Sequence, residues 1–457
     1  VWLLVRRTAI GLLVESVGAN DRASFFAGID AARFKVFVYV ISGVCAALAG
    51  LIVTADIKGA DANNAGLWLE LDAVLAVVIG GTALTGGRFF LGTSVIGAFI
   101  IQAIQTGIFV SGLPPTFNLI VQAVVILAIL FLQSEDNPVP AIRGTPPSLR
   151  SDIYIVEKTS MRNRAFPLIA TIVVFIILYL IGFQRFPAFG TTRVIANFLT
   201  DKSFLGITAV GMTFVILAGG IDLSVGSVIA FTGIFCALAI GQLGIHPLVA
   251  FAIILVIGST FGAGMGAIIH YLKIPPFIVT LAGMFLVRGG AFVLNQASVP
   301  IEHPFFEDIS NLYYVFPDRG RLTFVAVVFV LVLLLGILVA HYTRFGRNVY
   351  AIGGSDTAAL LLGVPVGRTI IGVYMLSSFL ATLAGIIYAI YTRSGYPRAA
   401  IGVELDAIAA VVVGGTLLTG GVGYVAGTFV GIMIQGVIQT YVNFDGTLNS
   451  WWTKIVI

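Results

Sequence analysis

The side chains best able to do chemistry come in a phrase that the chain writes twice. Residues 69–87 read LELDAVLAVVIGGTALTGG and residues 403–421 read VELDAIAAVVVGGTLLTGG. Each copy sets two carboxylates, Glu70 and Asp72 or Glu404 and Asp406, ahead of an apolar run. Paired carboxylates do acid and base work only when they face one another. Two apart on a helix they diverge by about 200°, so a catalytic pair is excluded on geometry. The spacing predicts caps at a broken helix, where negative charge meets the positive end of the helix dipole. Another carboxylate, Asp222, lies deep in the apolar stretch 211–226, GMTFVILAGGIDLSVG. A charge at membrane depth is costly and tends to be functional, and broken helices at the midplane are where transporters hold their solutes. The plainer reading is that Gly219-Gly220 ends one helix and Asp222 or Ser224 caps the next. His246, His270, His303 and His341 are scattered without metal-ligand spacing, and no nucleophile is clustered with a base. No cofactor or metal and no catalytic residue is expected.

The elements that must position these groups are membrane helices. Of 457 residues, 58% are hydrophobic and 10% charged, with a mean hydropathy of +1.05. Soluble domains carry about a quarter charged residues, so the composition predicts a polytopic membrane protein. The 53 glycines suit helices that pack closely or break within the bilayer. A net charge of +4, spread thinly, offers no nucleic-acid surface. Cys45 and Cys236 stand singly in apolar runs, which predicts buried packing and no disulfide framework.

The repeat extends beyond the opening phrase. Gly18, Asp21, Ala23, Gly28, Arg33 and Tyr39 match Gly353, Asp356, Ala358, Gly363, Arg368 and Tyr374 at one constant spacing. In the first copy, apolar runs at 34–54, 91–110 and 117–132 predict spans, with the short run 74–79 a re-entrant or discontinuous piece. The second copy repeats this set. It adds runs upstream at 168–183, 205–217, 228–240, 247–269, 277–294 and 324–340, so the first copy corresponds to the back half of the second.

Three regions follow: 1–133, the C-terminal part of a first unit; 134–165, a polar linker; and 166–457, a second, nearly complete unit. The linker carries Pro138, Pro140, Pro146 and Pro147. Val1 opens the chain without a visible signal peptide, and 453–457 break off within an apolar run, so both ends read as cut. Arg6, Arg7, Arg22, Arg33 and Lys35, with Arg344, Arg347 and Arg368, place the matching polar loops in the cytoplasm. Glu302, Glu307, Asp308 and Asp318 mark the longest loop between helices as external.

GGIDLSVGS, the loop AIGGSDTAALLLGV at 351–364 and ELDAIAAVVVGGTLLTGG, in that order, resemble the membrane permeases of ribose-type sugar ABC importers. Within that family the two copies are similar to the two dissimilar permeases of a bacterial galactofuranose importer. The resemblance implies an all-α transmembrane bundle with discontinuous helices in the bacterial inner membrane. It also implies a paired permease (here the fused copy), a cytoplasmic ATPase and a periplasmic sugar-binding protein. A docking loop for the ATPase falls on Gly353, Gly354, Ser355, Asp356, Ala358 and Gly363, and on Gly18, Asp21, Ala23 and Gly28; the first copy departs with Ala19-Asn20 where the second has Gly354-Ser355. The apolar run 358–362 within so polar a loop independently points to a partner surface.

Leu84-Thr85-Gly86-Gly87-Arg88 looks like an ABC ATPase signature. No G-x-x-x-x-G-K-[ST] phosphate loop accompanies it, so ATP hydrolysis is expected on a separate subunit. Polar residues that could line a monosaccharide path are Asp222, Ser224, Ser227, Thr213, Thr232, Asn197, Asn295 and Gln296. The competing class is an ion-coupled secondary transporter of a small polar solute, which would share the hydropathy and the intramembrane Asp222.

Overall fold

Each long apolar run folds as a helix. The computed structural model describes residues 2–61, 65–82, 86–87, 89–112, 114, 117–135 and 166–446. The expected linker is outside the described residues from 136 onward, as are Leu84, Thr85 and Arg88 and the closing residues 453–457. The chain divides into two units, Val1–Ile129 and Leu130–Ile457. Among the described residues, eight helices are long and apolar enough to cross a membrane.

The first unit runs α1 (Trp2–Arg7), α2 (Ala9–Ala19), α3 (Asp21–Phe26), α4 (Ala31–Ile57), α5 (Leu69–Ile79), α6 (Leu91–Val110) and α7 (Phe117–Glu135). At about 1.5 Å per residue, the 11 residues of α5 reach little more than half of a bilayer's ~30 Å hydrocarbon core. The discontinuous piece expected at 74–79 is thus a short helix. In α4 only Ala31 is buried, so its apolar surface is bare all round. Cys45, expected to be buried, is exposed on α4, whereas Cys236 is buried.

The second unit runs α8 (Phe166–Arg185), α9 (Thr192–Asp201), α10 (Ser203–Leu217), α11 (Val225–Gly241), α12 (Pro247–Leu272), α13 (Pro276–Leu294), β1 (Val299–Pro300), α14 (Pro304–Ser310), β2 (Tyr313–Val315), β3 (Arg321–Thr323), α15 (Phe324–Tyr342), α16 (Arg344–Gly354), α17 (Asp356–Leu361), α18 (Val366–Thr392), β4 (Ser394–Gly395), α19 (Val403–Val413) and α20 (Val425–Asp445). Its core is α10 and α11, buried on every side, with α18 packed against both and against α12. The α12–α18 contact is close because α12 presents small residues at a spacing of four. A Cβ on Gly258 would stand 2.0 Å from Thr382 Oγ1, one on Gly262 2.3 Å from the Tyr374 carbonyl oxygen, and one on Gly266 2.8 Å from Ile371 Cα. Lipid gives helices no hydrophobic drive to associate, so van der Waals contact of this kind supplies the attraction.

Two small β features sit at one end of the unit. β1 pairs antiparallel with β4, Val299 opposite Gly395, and β2 pairs with β3, Tyr313 opposite Thr323. The sequence reading missed these, and it missed α9, an amphipathic helix with Val194, Ala196 and Phe198 buried, bent 59° from α10.

Asp318, in the β2–β3 turn, ties that hairpin to the start of α9. Its carboxylate accepts the Thr192 hydroxyl and the Thr192 N–H (2.6 Å), with Gly320 N at 3.5 Å. These bonds, the Thr192 hydroxyl's first, hold the carboxyl below the usual aspartate range. Because the folded pKa is the lower one, the tie is fully present above about pH 3.9 and is lost only as pH falls through the folded value. Hydrogen exchange across β2 and β3 should therefore show no loosening specific to this tie between pH 7 and 5. Asp318→Asn, which turns an amide N–H toward a donor, should speed that exchange several-fold at pH 7.

Candidate functional site: a glycine junction at two helix breaks

Both breaks in the second unit begin with a Gly-Gly pair. α10 ends at Leu217, and Gly219 turns the chain at φ +81°. α19 ends at Val413, and Gly415 does the same at φ +88°. The Thr-Gly-Gly turn after α19 then meets the first break, where Gly421 N donates to the Leu217 carbonyl at 2.9 Å. The end of α16 closes the junction. A Cβ on Gly353 would stand 1.8 Å from that same Leu217 oxygen and 2.4 Å from Gly421 N, and the Tyr350 hydroxyl donates to the Gly423 carbonyl at 2.7 Å. Three backbone segments meet at a distance that only residues without side chains permit. The helix leading to the expected docking loop is thereby in direct contact with both broken helices.

The first unit builds the same contact from the repeated residues. A Cβ on Gly18, in α2, would stand 2.7 Å from Gly87 N, and one on Gly86 would stand 2.7 Å from the Gly18 oxygen. Behind the turn the packing repeats nearly atom for atom: a Cβ on Gly97 would stand 2.1 Å from the Ala76 oxygen, and one on Gly431 2.0 Å from the Ala410 oxygen.

Beyond the junction the two polar loops have the same helix–cap–helix form. Ser355 caps α17, its hydroxyl accepting from Ala358 N at 3.2 Å; in the first unit Asn20 caps α3, accepting from Ala23 N at 2.9 Å. The Ala19-Asn20 departure thus preserves the cap, since Asn and Ser do the same work there. Asp356 accepts from Thr357 N at 2.7 Å, and Asp21 pairs with Lys35. Gly363 and Gly28 end the short helices at φ +78° and +82°. Each loop then presents large apolar side chains to the outside: Leu361 is 83% exposed and Phe26, its counterpart, 85%, with Leu360, Leu362 and Phe25 beside them.

At the first break Asp222 is fully buried and accepts three hydrogen bonds, from Ser224 N (2.9 Å), Ser224 Oγ (2.6 Å) and Ser377 Oγ of α18 (2.8 Å). This corrects the expected cap. Ser224 holds the N-cap position of α11 but turns its hydroxyl back to Asp222, so the carboxylate braces the break against α18 and no side chain caps the helix. Thr280 of α13 donates to the Ile221 carbonyl at 3.2 Å, and the Tyr374 hydroxyl lies over Gly220.

The repeated carboxylates also differ from expectation. The N-cap residues of α5 and α19 are Trp68 and Gly402, both left-handed, with no side-chain cap bond. Glu404 instead reaches back to Gly402 N at 3.3 Å, and Asp72 accepts from Gln122 at 3.5 Å. Glu404 is buried and Glu70 exposed, because Glu404 lies against Gly226 of α11, an element with no counterpart among residues 1–129.

Of the remaining path candidates, Thr213 is buried and pairs with Thr428 of α20 at 2.8 Å, and Ser227 and Thr232 are buried with unpaired hydroxyls. Asn197 and Gln296 are exposed on other elements, and Asn295 ends α13 by accepting from Ala297 N at 2.8 Å. The structure gathers Asp222, Ser224 and Ser377 and leaves these three apart. Sequence reasoning missed Ser377 and also Arg288, a charge within an apolar run that the rule applied to Asp222 would have found.

Discontinuous helices, a buried acid at the break and short polar-loop helices with exposed apolar tips are the features of a multi-pass membrane permease. A family model described as "Branched-chain amino acid transport system / permease component" matches residues 1–130 and 194–457, and the chain belongs to that family. The inner membrane ABC transporter permease protein YjfF of Escherichia coli (strain K12) is 58% identical over 297 residues, 65% of this chain and 90% of the relative. The ribose import permease protein RbsC of the same strain is 41% identical over 272 residues, 59% of this chain and 84% of the relative. The galactofuranose transporter permease protein YtfT, also of that strain, is 60% identical over 134 residues, 29% of this chain and 39% of the relative. No solved structure matches. The chain is thus an inner-membrane permease of the ABC transporter class.

Proposed function

We propose that this chain is the translocation subunit of an ATP-driven importer of a monosaccharide of the ribose or galactofuranose kind. The observation that carries this reading is the junction: the helices that lead into the exposed apolar tips, α16 and α2, touch the glycine turns at the helix breaks, and both units repeat the arrangement. The named substrates of YtfT and RbsC supply the sugar class. Residues 1–133 act as the back half of one permease, 134–165 as a cytoplasmic linker and 166–457 as a second permease. A separate ATPase hydrolyses ATP and seats on α16–α17 and α2–α3, on the cytoplasmic side that Arg344, Arg347 and Arg368 mark. A periplasmic binding protein delivers the sugar at the opposite end. Closure of the ATPase pair pushes the docking helices, and the junction passes that displacement to both breaks, shifting the populations of inward-open and outward-open states. Asp222, Ser224, Ser227, Thr232 and Thr213 shape the break, and Asn197, Asn295 and Gln296 lie along the sugar's route. The chain itself catalyses no reaction.

The test is uptake of labelled ribose and galactofuranose into vesicles bearing the chain with its co-purifying ATPase and binding protein. Uptake should require ATP and ignore collapse of the proton and sodium gradients. Uptake without ATP that follows an ion gradient would instead establish the secondary-transporter class.

A further inference from the structure

Two buried charges in the second unit take no part in the junction. Arg288 of α13 is 4% exposed and its Nη1 donates to two carbonyls, Pro397 at 2.8 Å and Ala399 at 2.7 Å. Both belong to the segment 394–402 that joins α18 to α19, at the far end of the 27-residue α18 from the docking loop. That segment is strained. Ala400 lies at φ 56°, left-handed for a residue that is not glycine, Gly402 lies at 83°, and Arg393, just before the segment, lies at 51°. Glu404 follows at once. Its Oε2 is buried with no hydrogen-bond partner, and it lies beside Gly226 in the first turn of α11, where a Cβ would meet it at 2.3 Å and the Ala400 oxygen at 2.6 Å. Arg288 and Glu404 converge on one turn, Arg288 on the Ala399 carbonyl and Glu404 Oε2 beside the Ala400 carbonyl at Gly226, yet the ion pairs within 4 Å among the described residues, Arg33–Asp30 and Lys35–Asp21, include neither.

A buried acceptor left open near a buried guanidinium that is satisfied elsewhere is an arrangement with a second state available. Burying either charge unpaired is costly, so the two cannot separate freely. Moving Arg288 from the two carbonyls to Glu404 would release the strained segment while keeping the guanidinium paired.

We propose that Arg288 and Glu404 are the positioning pair of the segment 394–402: Arg288 clamps it through the Pro397 and Ala399 carbonyls in this state and shifts to the Glu404 carboxylate when the segment moves during transport. The segment, leaning on α11 through Gly226 and on α13 through Arg288, is the far-side counterpart of the glycine junction. This inference rests on the importer reading.

The experiment places a reporter cysteine at Tyr396, which is 38% exposed, in a Cys45→Ser background, and labels it with a membrane-impermeant maleimide in the complete importer. The labelling rate should differ at least ~5-fold between the resting and nucleotide-trapped states. Glu404→Gln should shrink that difference below ~2-fold and lower maximal uptake about 10-fold with KM nearly unchanged, a split that marks a lost step and not lost binding. Because removing one charge can destabilise the fold, the double variant Arg288→Met/Glu404→Gln is read beside it. The double variant should regain thermal stability but not uptake or the labelling difference. A double variant that transports and labels like the parent would reduce the pair to a structural role and overturn the proposal. A parent with neither ATP-dependent uptake nor a nucleotide-dependent labelling change would overturn the importer reading itself.

Discussion

Alanine at Gly353 is expected to reduce uptake by at least 100-fold while Gly264→Ala, on α12, leaves it unchanged. The first methyl would sit 1.8 Å from the Leu217 oxygen and 2.4 Å from Gly421 N, and both neighbours are backbone. The end of α16 must then back away by more than about 1 Å, since non-bonded heavy atoms settle near 3.5 Å apart. That movement breaks the Gly421-to-Leu217 hydrogen bond and uncouples the docking loop from both breaks. Overpacking of this kind costs roughly 1–3 kcal/mol, so the protein folds in a shifted form, measurable by uptake at constant expression. Gly264 has nothing within 4 Å of its Cβ position and lies inside a helix, so alanine is accommodated there and even favoured by up to ~1 kcal/mol. Equal effects at the two glycines would refute the junction. Gly18→Ala, with Gly87 N at 2.7 Å, tests the first unit in the same way.

Glutamate at Leu361 and at Phe26 is expected to abolish capture of the ATPase without destabilising the permease. Both side chains are more than four-fifths exposed, Phe26 meeting the likewise exposed Phe25 ring edge-on at 6.1 Å, so their replacement should change stability by no more than about 0.5 kcal/mol. Buried in a groove of a partner they become central contacts, and inserting a charge there costs about 2 kcal/mol or more per site, roughly 30-fold in affinity for each. Thermal unfolding in detergent should be unchanged while the ATPase no longer co-purifies and uptake stops. If the double variant still binds the ATPase, docking lies elsewhere on the chain. A graded outcome, one substitution harmful and the other silent, would show which unit carries the stronger contact.

The spans, the two breaks and the repeat were legible because they depend on local chemistry. A run of apolar residues must be helical in a bilayer, since no other element of a single segment satisfies its backbone there. The Gly-Gly-Thr break ends such a helix in both copies, and so Val403–Val413 and Leu69–Ile79 end at the same phrase, whereas Gly289-Gly290 runs on inside Pro276–Leu294. The local form of the two polar loops was legible for the same reason: polar sequence with a cap residue and an apolar tip needs no distant partner to form. α9 escaped because its apolar face is exposed by pattern only when its bend from α10 is known.

What the linear sequence could not decide was which of two equivalent residues is buried. Tyr39 and Tyr374 occupy matching positions, yet the first is 79% exposed and the second 3%, because α10 and α11 cover α18 and none of the described residues among 1–129 covers α4 in that way. Glu70 and Glu404 divide by the same cause. Burial is a property of what packs from elsewhere in the chain, and it converts identical carboxylates into an exposed charge in one unit and a buried orphan acceptor in the other. The sequence by itself determined a membrane permease with two related units and a broken helix in each. Only the tertiary structure turned three distant Gly-Gly pairs into one junction, because contact between backbones depends on segments from 68 residues apart (Gly353 and Gly421) to 204 (Leu217 and Gly421) arriving at one place.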